Sequence, residues 1–273
     1  MATIIQVWTQ NAKRLYPDDP DYITFVGLGD LIRGSIGLYR LSKRLGCDFI
    51  VDFSLHPISN FLQVKKHKYS NLIAKQETIY AIDWNRVMPY IYDKFQNDDF
   101  AIFATNGCLD LYDEPSTDDL QKFIKDILIP NDNFKKYIDE QFNKLPYKNY
   151  NIMHFRLGDK EFFRNEGIEK YNQVLKIIEK ENNNSDNTIL LSDSIIFKHL
   201  VKHCTDIFMY MDNIGHIGAH KDLNAIKFTL FEFLLLIKAD SIKTYTIYPW
   251  TSGFVKIANY IYNIPLIEIK NEN

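Results

Sequence analysis

Two open α/β domains, Rossmann-like and facing one another across a cleft, are what the 273-residue sequence predicts. Three observations lead there. Short apolar runs of strand length alternate with segments of helical periodicity along the chain, the pattern of parallel sheets covered on both faces. The polar stretch "PYKNYN" interrupts that alternation near the middle and sets a boundary between an N-terminal domain, residues 1–148, and a C-terminal one, residues 149–273. Several of the strand-like runs end in glycine or in charged and hydroxyl side chains, where open parallel sheets hold their ligands.

The first domain opens as strand, turn, helix and strand. Residues 23–26 are strand-like, and after Gly27-Leu28-Gly29-Asp30 the apolar residues Leu31, Ile32, Ile36, Leu38, Leu41 and Leu45 recur at helical spacing until Gly46 stops the helix. "CDFIVDF" is the next strand and "FAIFATN" a further one. "STDDLQKFIKDILIP" begins with Ser116 or Thr117 as cap, has acids in its first turn and ends before Pro130. "DNFKKYIDEQFNKLP" repeats that design and stops at Pro146. The second domain opens with the strand "IMHF", then a helix over 171–181, the polar linker "ENNNSDN", the strand "TILLS", a helix over 195–203 and the strand "IFMYM". The long apolar helix "LNAIKFTLFEFLLLIKA", the strand "SIKTYTI", a helix over 253–261 and the strand "LIEI" complete it.

Composition narrows the function. With 46% hydrophobic and 14% aromatic residues the chain can bury one large core or two medium ones, and two domains of about 130 residues each fit the usual size; a disordered or fibrous protein is excluded. The 32 basic and 35 acidic residues are well mixed, net charge −3, so there is no basic stripe for nucleic acid, and an anion must be met by a local pocket. Cys47, Cys108 and Cys204 are odd in number, without a CxxC pair, and suit a reducing compartment. The opening "MATIIQVWTQNAKRLYPDDPDY" lacks a basic leader pattern, and no run approaches the ~20 apolar residues of a membrane span. The expectation is a cytoplasmic protein.

Four strand ends carry candidate chemistry. At Gly27, Gly29 and Asp30 the backbone can approach a ligand and a helix start supplies amides, with Asp52 at about the ribose-binding distance of a dinucleotide fingerprint; Ile32 stands where its third glycine belongs. A tight strand-to-helix turn explains the same residues. In "NIMHFRLGDKEFF", a buried strand breaks off into His154, Arg156, Asp159 and Lys160. Arg156 offers a bidentate contact to phosphate, and His154, two residues earlier, points to the same side; a surface salt-bridge loop explains the same charges. In "LLSDS", Asp193 holds a ribose or base, or else caps the next helix. In "YPWTSGF", Thr251, Ser252 and Gly253 offer hydroxyls and helix-start amides to phosphates, or cap a helix.

The order of these pieces resembles the donor-binding half of the fucosyltransferase superfamily of GT-B glycosyltransferases: the bacterial nodulation and animal alpha-1,6-fucosyltransferases, with protein O-fucosyltransferases more distant. "HFRLGDK" is similar to their His-x-Arg-x-x-Asp-Lys motif, followed by "IEKY"; "ILLSDS" resembles their strand ending in Asp, "EFLLLIKAD" their base-reading helix, and "TSGF" with "KIANYI" their Ser-Ser loop and its helix. The "GLGD" turn and its helix match their N-terminal domain. The resemblance implies an inverting, metal-independent transfer of a sugar, fucose from GDP-fucose foremost, to a glycan or other hydroxyl acceptor, with no cofactor beyond the GDP-sugar donor. Arg156 would grip the β-phosphate with His154 beside it, Ser252, Gly253 and Phe254 would line the phosphates, and Glu232 would stand in the base-recognition position. The general base would be one of Asp159, Glu161 and Glu166, with Asp30, Arg33 and Asp52 on the acceptor side. Three departures stand out: Glu232 replaces an Asp, Leu157 replaces a second Arg, and the loop "YTIYPWTSGF" is longer than usual.

Rival readings use other residues. His199 with His203 and His216 with His220 have the i,i+4 spacing of a zinc pair, though solvated or core histidines explain them as well. Asp18-Asp19 and Asp110/Asp113 imitate a metal-binding DxD but have the context of turns. A nicotinamide oxidoreductase would use Gly27, Gly29 and Asp52, and a non-catalytic relative would keep the nucleotide pocket without the base.

Overall fold

The computed structural model describes residues 2–10, 13–14, 27–75, 79–80, 84–105, 114–158, 167–182, 187–215, 217 and 222–270. The strand expected over 23–26 lies outside them, as does Cys108. The chain forms two compact units, Met1–Asp139 with Gly215–Lys227, and Glu140–Ile214 with Phe228–Asn273. The division therefore precedes "PYKNYN". Its physical reason is the last turn of a helix, Asp132–Phe142, where the Gln141 carbonyl accepts from Tyr210 Oη at 2.6 Å and the Phe142 ring packs edge-on against Phe231.

In the first unit the central strand is β1 (Thr3–Val7), buried throughout. The short β2 (Lys13–Arg14) and β4 (Ile79–Tyr80) pair separately, while β1 is flanked in parallel by β3 (Asp48–Asp52) and β5 (Phe100–Phe103), in the order β3-β1-β5. Helix α1 (Leu28–Leu45) ends where Gly46 adopts φ 63°, a left-handed cap open to glycine without penalty. Two further helices, α2 (Ser70–Ile73) and α3 (Trp84–Asn97, with Pro89 inside), precede α4 (Asp118–Ile127) and α5 (Asp132–Phe142). Thr117 caps α4 by accepting the Leu120 amide at 3.3 Å, as the sequence predicts. Ile4 and Phe103 pack with α1 and α3 on one face of the sheet, and Ile5, Val7 and Ile102 with Tyr69 and Ile73 on the other.

The second unit is a five-stranded parallel sheet in the order β10-β9-β6-β7-β8: β6 (Asn151–Arg156), β7 (Thr188–Ser192), β8 (Phe208–Met209), β9 (Ser241–Thr246) and β10 (Leu266–Glu268). Its helices are α6 (Gly167–Asn182), α7 (Ile195–Cys204), α8 (Leu223–Leu236) and α9 (Gly253–Tyr262). The chain starts at the centre with β6, builds outward through β7 to β8, then returns to β9 on the other side. Strand order thus reverses between β6 and β9, and the crevice outside their carboxyl ends is where such a sheet holds a ligand. Arg156 and Thr246, the last residues of those two strands, are register partners.

Candidate functional site

Side chains alternate along β6. Met153 and Phe155 enter a core with Val174, Phe197 and Val201, which leaves His154 and Arg156 on the opposite face. After Arg156 the chain turns through Gly158 at φ 64°, and this turn is tied to the neighbouring strand. The Leu157 and Gly158 amides donate to the two carboxylate oxygens of Asp193 at 2.8 and 3.1 Å, and the Arg156 guanidinium donates to the same carboxylate. Asp193 follows β7, so strand order delivers it. It does not cap α7; Ser194 does, accepting the Phe197 amide at 3.1 Å. Asp193 instead braces Arg156, whose side chain stays 32% exposed and whose five donors exceed what one carboxylate takes up.

His154 is buried, with Nδ1 3.0 Å from Thr244 Oγ1 on β9. Burial pulls its pKa down to about 4; the Arg156 and Lys198 charges act in the same direction and Asp193 opposes them. At neutral pH the ring is uncharged and serves as a hydrogen-bonding group. Its centroid lies 6.4 Å from that of Phe254, which also packs on Phe233 at 5.4 Å, and so the first turn of α9 is held against the end of β6. The amides of Gly253, Phe254 and Val255 have no acceptor within their helix and form its positive end. Ser252 stands at the N-cap with no side-chain cap bond, whereas the Thr251 hydroxyl donates to Glu268 on β10.

Glu232 is buried on α8, its Oε1 3.0 Å from Lys198 Nζ on α7; Lys198 also donates to the Asp212 carbonyl at 3.3 Å. Burial raises the Glu232 pKa and the Lys198 charge opposes that shift. Sequence reasoning did not single out Lys198, although it lies between Phe197 and Val201 on the buried side of α7. Nor did it single out the aromatic pair in the loop after β9: the Tyr248 ring lies 5.8 Å from the Arg156 guanidinium and stacks on Trp250. "YPW" was the signal available.

Gly27, Gly29, Asp30, Arg33 and Asp52 belong to the first unit. Asp30 turns back to accept the Gly27 amide at 3.2 Å, so a carboxylate already occupies the start of α1; Gly29 is buried in its first turn, and Arg33 lies half-buried further along. Gly27 itself has an ordinary φ of −74°. Asp52 is buried and engaged: Oδ1 accepts the Ser54 amide at 2.8 Å and its hydroxyl at 2.6 Å, and Oδ2 lies 2.7 Å from His67 Nε2. Because His67 Nδ1 accepts the Tyr69 amide at 3.3 Å, Nε2 carries the proton toward Asp52. Asp159, Lys160, Glu161 and Glu166 lie outside the described residues, as do His216, His220, Asp18, Asp19, Asp110 and Asp113. His199 and His203 are exposed on α7, and no group of three or more potential metal ligands gathers among the described residues.

Two parallel-stranded α/β units of this design are the fold of the GT-B fucosyltransferases. No protein-family model and no curated protein matches the sequence. Among solved structures, the chain is similar to NodZ alpha-1,6-fucosyltransferase soaked with GDP-fucose, at 13% identity, TM-score 0.61 and coverage of 100% of this chain and 96% of that one. It is similar to fucosyltransferase NodZ from Bradyrhizobium at 14% identity, TM-score 0.60 and coverage of 99% and 96%. A variant of Arabidopsis thaliana FUT1 in complex with GDP matches at 10% identity and TM-score 0.59, covering 100% of this chain and 71% of that one. At such identities the likeness is one of fold. Among the described residues no helix is long and apolar enough to cross a membrane.

Proposed function

We propose that the chain is an inverting, metal-independent glycosyltransferase that moves a sugar, fucose from GDP-fucose foremost, onto a hydroxyl acceptor. The observation that carries this reading is Arg156, braced by Asp193 at the switch point of the second sheet and partly open to solvent, two residues after His154, whose ring faces Phe254 in the first turn of α9. The leaving diphosphate gains negative charge in the transition state, and a guanidinium, helix-start amides and the Ser252 hydroxyl stabilise that charge without a metal. An acceptor hydroxyl would attack the anomeric carbon from the opposite face, its proton passing to Asp159, Glu161 or Glu166. Glu232 stands on the helix assigned to base reading, where its Oε1 accepts from Lys198 and a carboxylate can pair with the guanine N1–H and N2–H. That NodZ was solved with GDP-fucose and FUT1 with GDP supports the choice of donor. The nicotinamide alternative loses its anchors, since Asp30 occupies the start of α1 where a pyrophosphate would lie and Asp52 is held by Ser54 and His67.

Calorimetry with GDP, GDP-fucose, UDP-sugars and NAD, each with and without EDTA, tests the reading. GDP and GDP-fucose bind in either buffer, and Arg156→Ala weakens both about a hundredfold, the scale of losing one partner of a desolvated charge pair. Binding of NAD without GDP, or of GDP only with a divalent ion, overturns it. Release of GDP from GDP-fucose separates a working transferase from a non-catalytic relative.

A further inference from the structure

The loop after β9 presents an aromatic surface that the transfer reaction, as proposed, does not use. Trp250 is 63% exposed, the most of any large apolar side chain among the described residues. Its indole stacks on the Tyr248 ring with centroids 5.4 Å apart and planes 21° from parallel, and that ring lies against the Arg156 guanidinium. The loop is tied at both ends. The Ile247 amide donates to the Arg156 carbonyl at 3.2 Å and the Tyr248 amide to Thr246 Oγ1 at 3.1 Å; the Thr251 hydroxyl donates to Glu268. Pro249, between the two rings, fixes one more backbone angle. An indole left in water forgoes the burial that folding offers it. A flat, pre-ordered aromatic face beside a cation suits a ligand with one apolar face and a polar rim.

We infer that Tyr248 and Trp250 form a saccharide subsite, in which a pyranose ring lies with its C–H face on the Trp250 indole. This rests on the reading of Arg156 as the diphosphate grip and deepens it. In a nucleoside diphosphate sugar the pyranose is bonded directly to the β-phosphate, while the base is separated from it by the ribose and the α-phosphate. An acceptor sugar must likewise reach the anomeric carbon next to that phosphate. The ring one step from Arg156 is therefore a sugar's neighbour, whether the donor's or the acceptor's.

The indole N–H signal of Trp250, assigned by its loss in Trp250→Phe, reports occupancy. It is followed during titration with methyl α-L-fucopyranoside, methyl β-D-glucopyranoside, methyl β-D-galactopyranoside, GDP and GDP-fucose. The signal moves with a methyl pyranoside if the acceptor's ring is held, or with GDP-fucose beyond the effect of GDP if the donor's ring is held. Trp250→Ala then weakens that ligand about tenfold, Trp250→Phe much less, and GDP affinity is unchanged. A signal indifferent to every pyranoside and equal in GDP and GDP-fucose overturns the inference, as does a Trp250→Ala variant that loses GDP and GDP-fucose equally. Failure of GDP to bind at all, with the pyranoside response intact, overturns the function proposed above and leaves the subsite standing.

Discussion

His154 illustrates how one residue links the site to the acid stability of the protein. Its folded pKa of about 4 lies below the ordinary 6.5, so between those values the native state binds fewer protons than the unfolded chain. Stability is complete above pH 6.5 and falls as the pH drops toward 4, by up to about 1.4 kcal/mol per pH unit for each such histidine. His56, buried and likewise pulled down to about 4 chiefly by desolvation, adds a second increment over the same window. Urea unfolding at pH 6.5, 5.5 and 4.5 is expected to show a loss of stability that is smaller in His154→Asn; parallel profiles for the two proteins would refute it. Arg156 and Asp193 make the complementary point about charge. Asp193 spends its two oxygens on the turn amides and the guanidinium, which restricts the fork to one orientation before any phosphate arrives.

Between elements, the sharpest electrostatic feature is the tie from α7 to α8. Lys198 and Glu232 are both essentially removed from water, so deleting one partner strands the other. Lys198→Met is expected to cost about 3–5 kcal/mol in urea unfolding, and Lys198→Met with Glu232→Leu much less, because a matched apolar pair avoids the desolvation of both charges. If the single and double variants were equally destabilised, packing and not charge would be what the pair supplies. No periodicity in the sequence marks Lys198, because a buried lysine is recognised by its partner, and that partner is 34 residues away. What was legible had local causes: the Gly46 stop, the Thr117 cap, and the break after "NIMHFR" that leaves Arg156 at a strand end. The central strand β1 went unrecognised because "TIIQV" lies in an opening stretch weighed only as a leader, although five successive buried residues fit a parallel core strand. Helix α3 was hidden by Pro89, which ordinarily breaks the helical pattern. The brace role of Asp193 depends on β7 lying next to β6, which no local pattern specifies.

On the scale of the whole molecule, the two units are not two consecutive pieces of chain. Residues 215–227 belong to the first unit, where Ile217 is fully buried and its carbonyl accepts Gln10 Nε2 at 3.0 Å. Helix α8 contributes its opening residues to the first unit and the remainder, from Phe228, to the second. A fragment of residues 1–139 therefore lacks part of its own core and is expected to unfold at lower urea than the intact protein and to bind a dye for exposed apolar surface. A fragment as stable as the full chain would contradict that division. The pairing of β6 with β9 adds a consequence for biosynthesis. His154 and Thr244 are 90 residues apart in the chain yet adjacent in the sheet. On the ribosome, β6 emerges before either neighbour; β7 follows first, and the backbone groups on the other side gain partners only once β9 has left the exit tunnel. The nascent chain must carry that unpaired edge while the 90 residues that separate His154 from Thr244 are added, which makes this interval the one in which a chaperone would matter most.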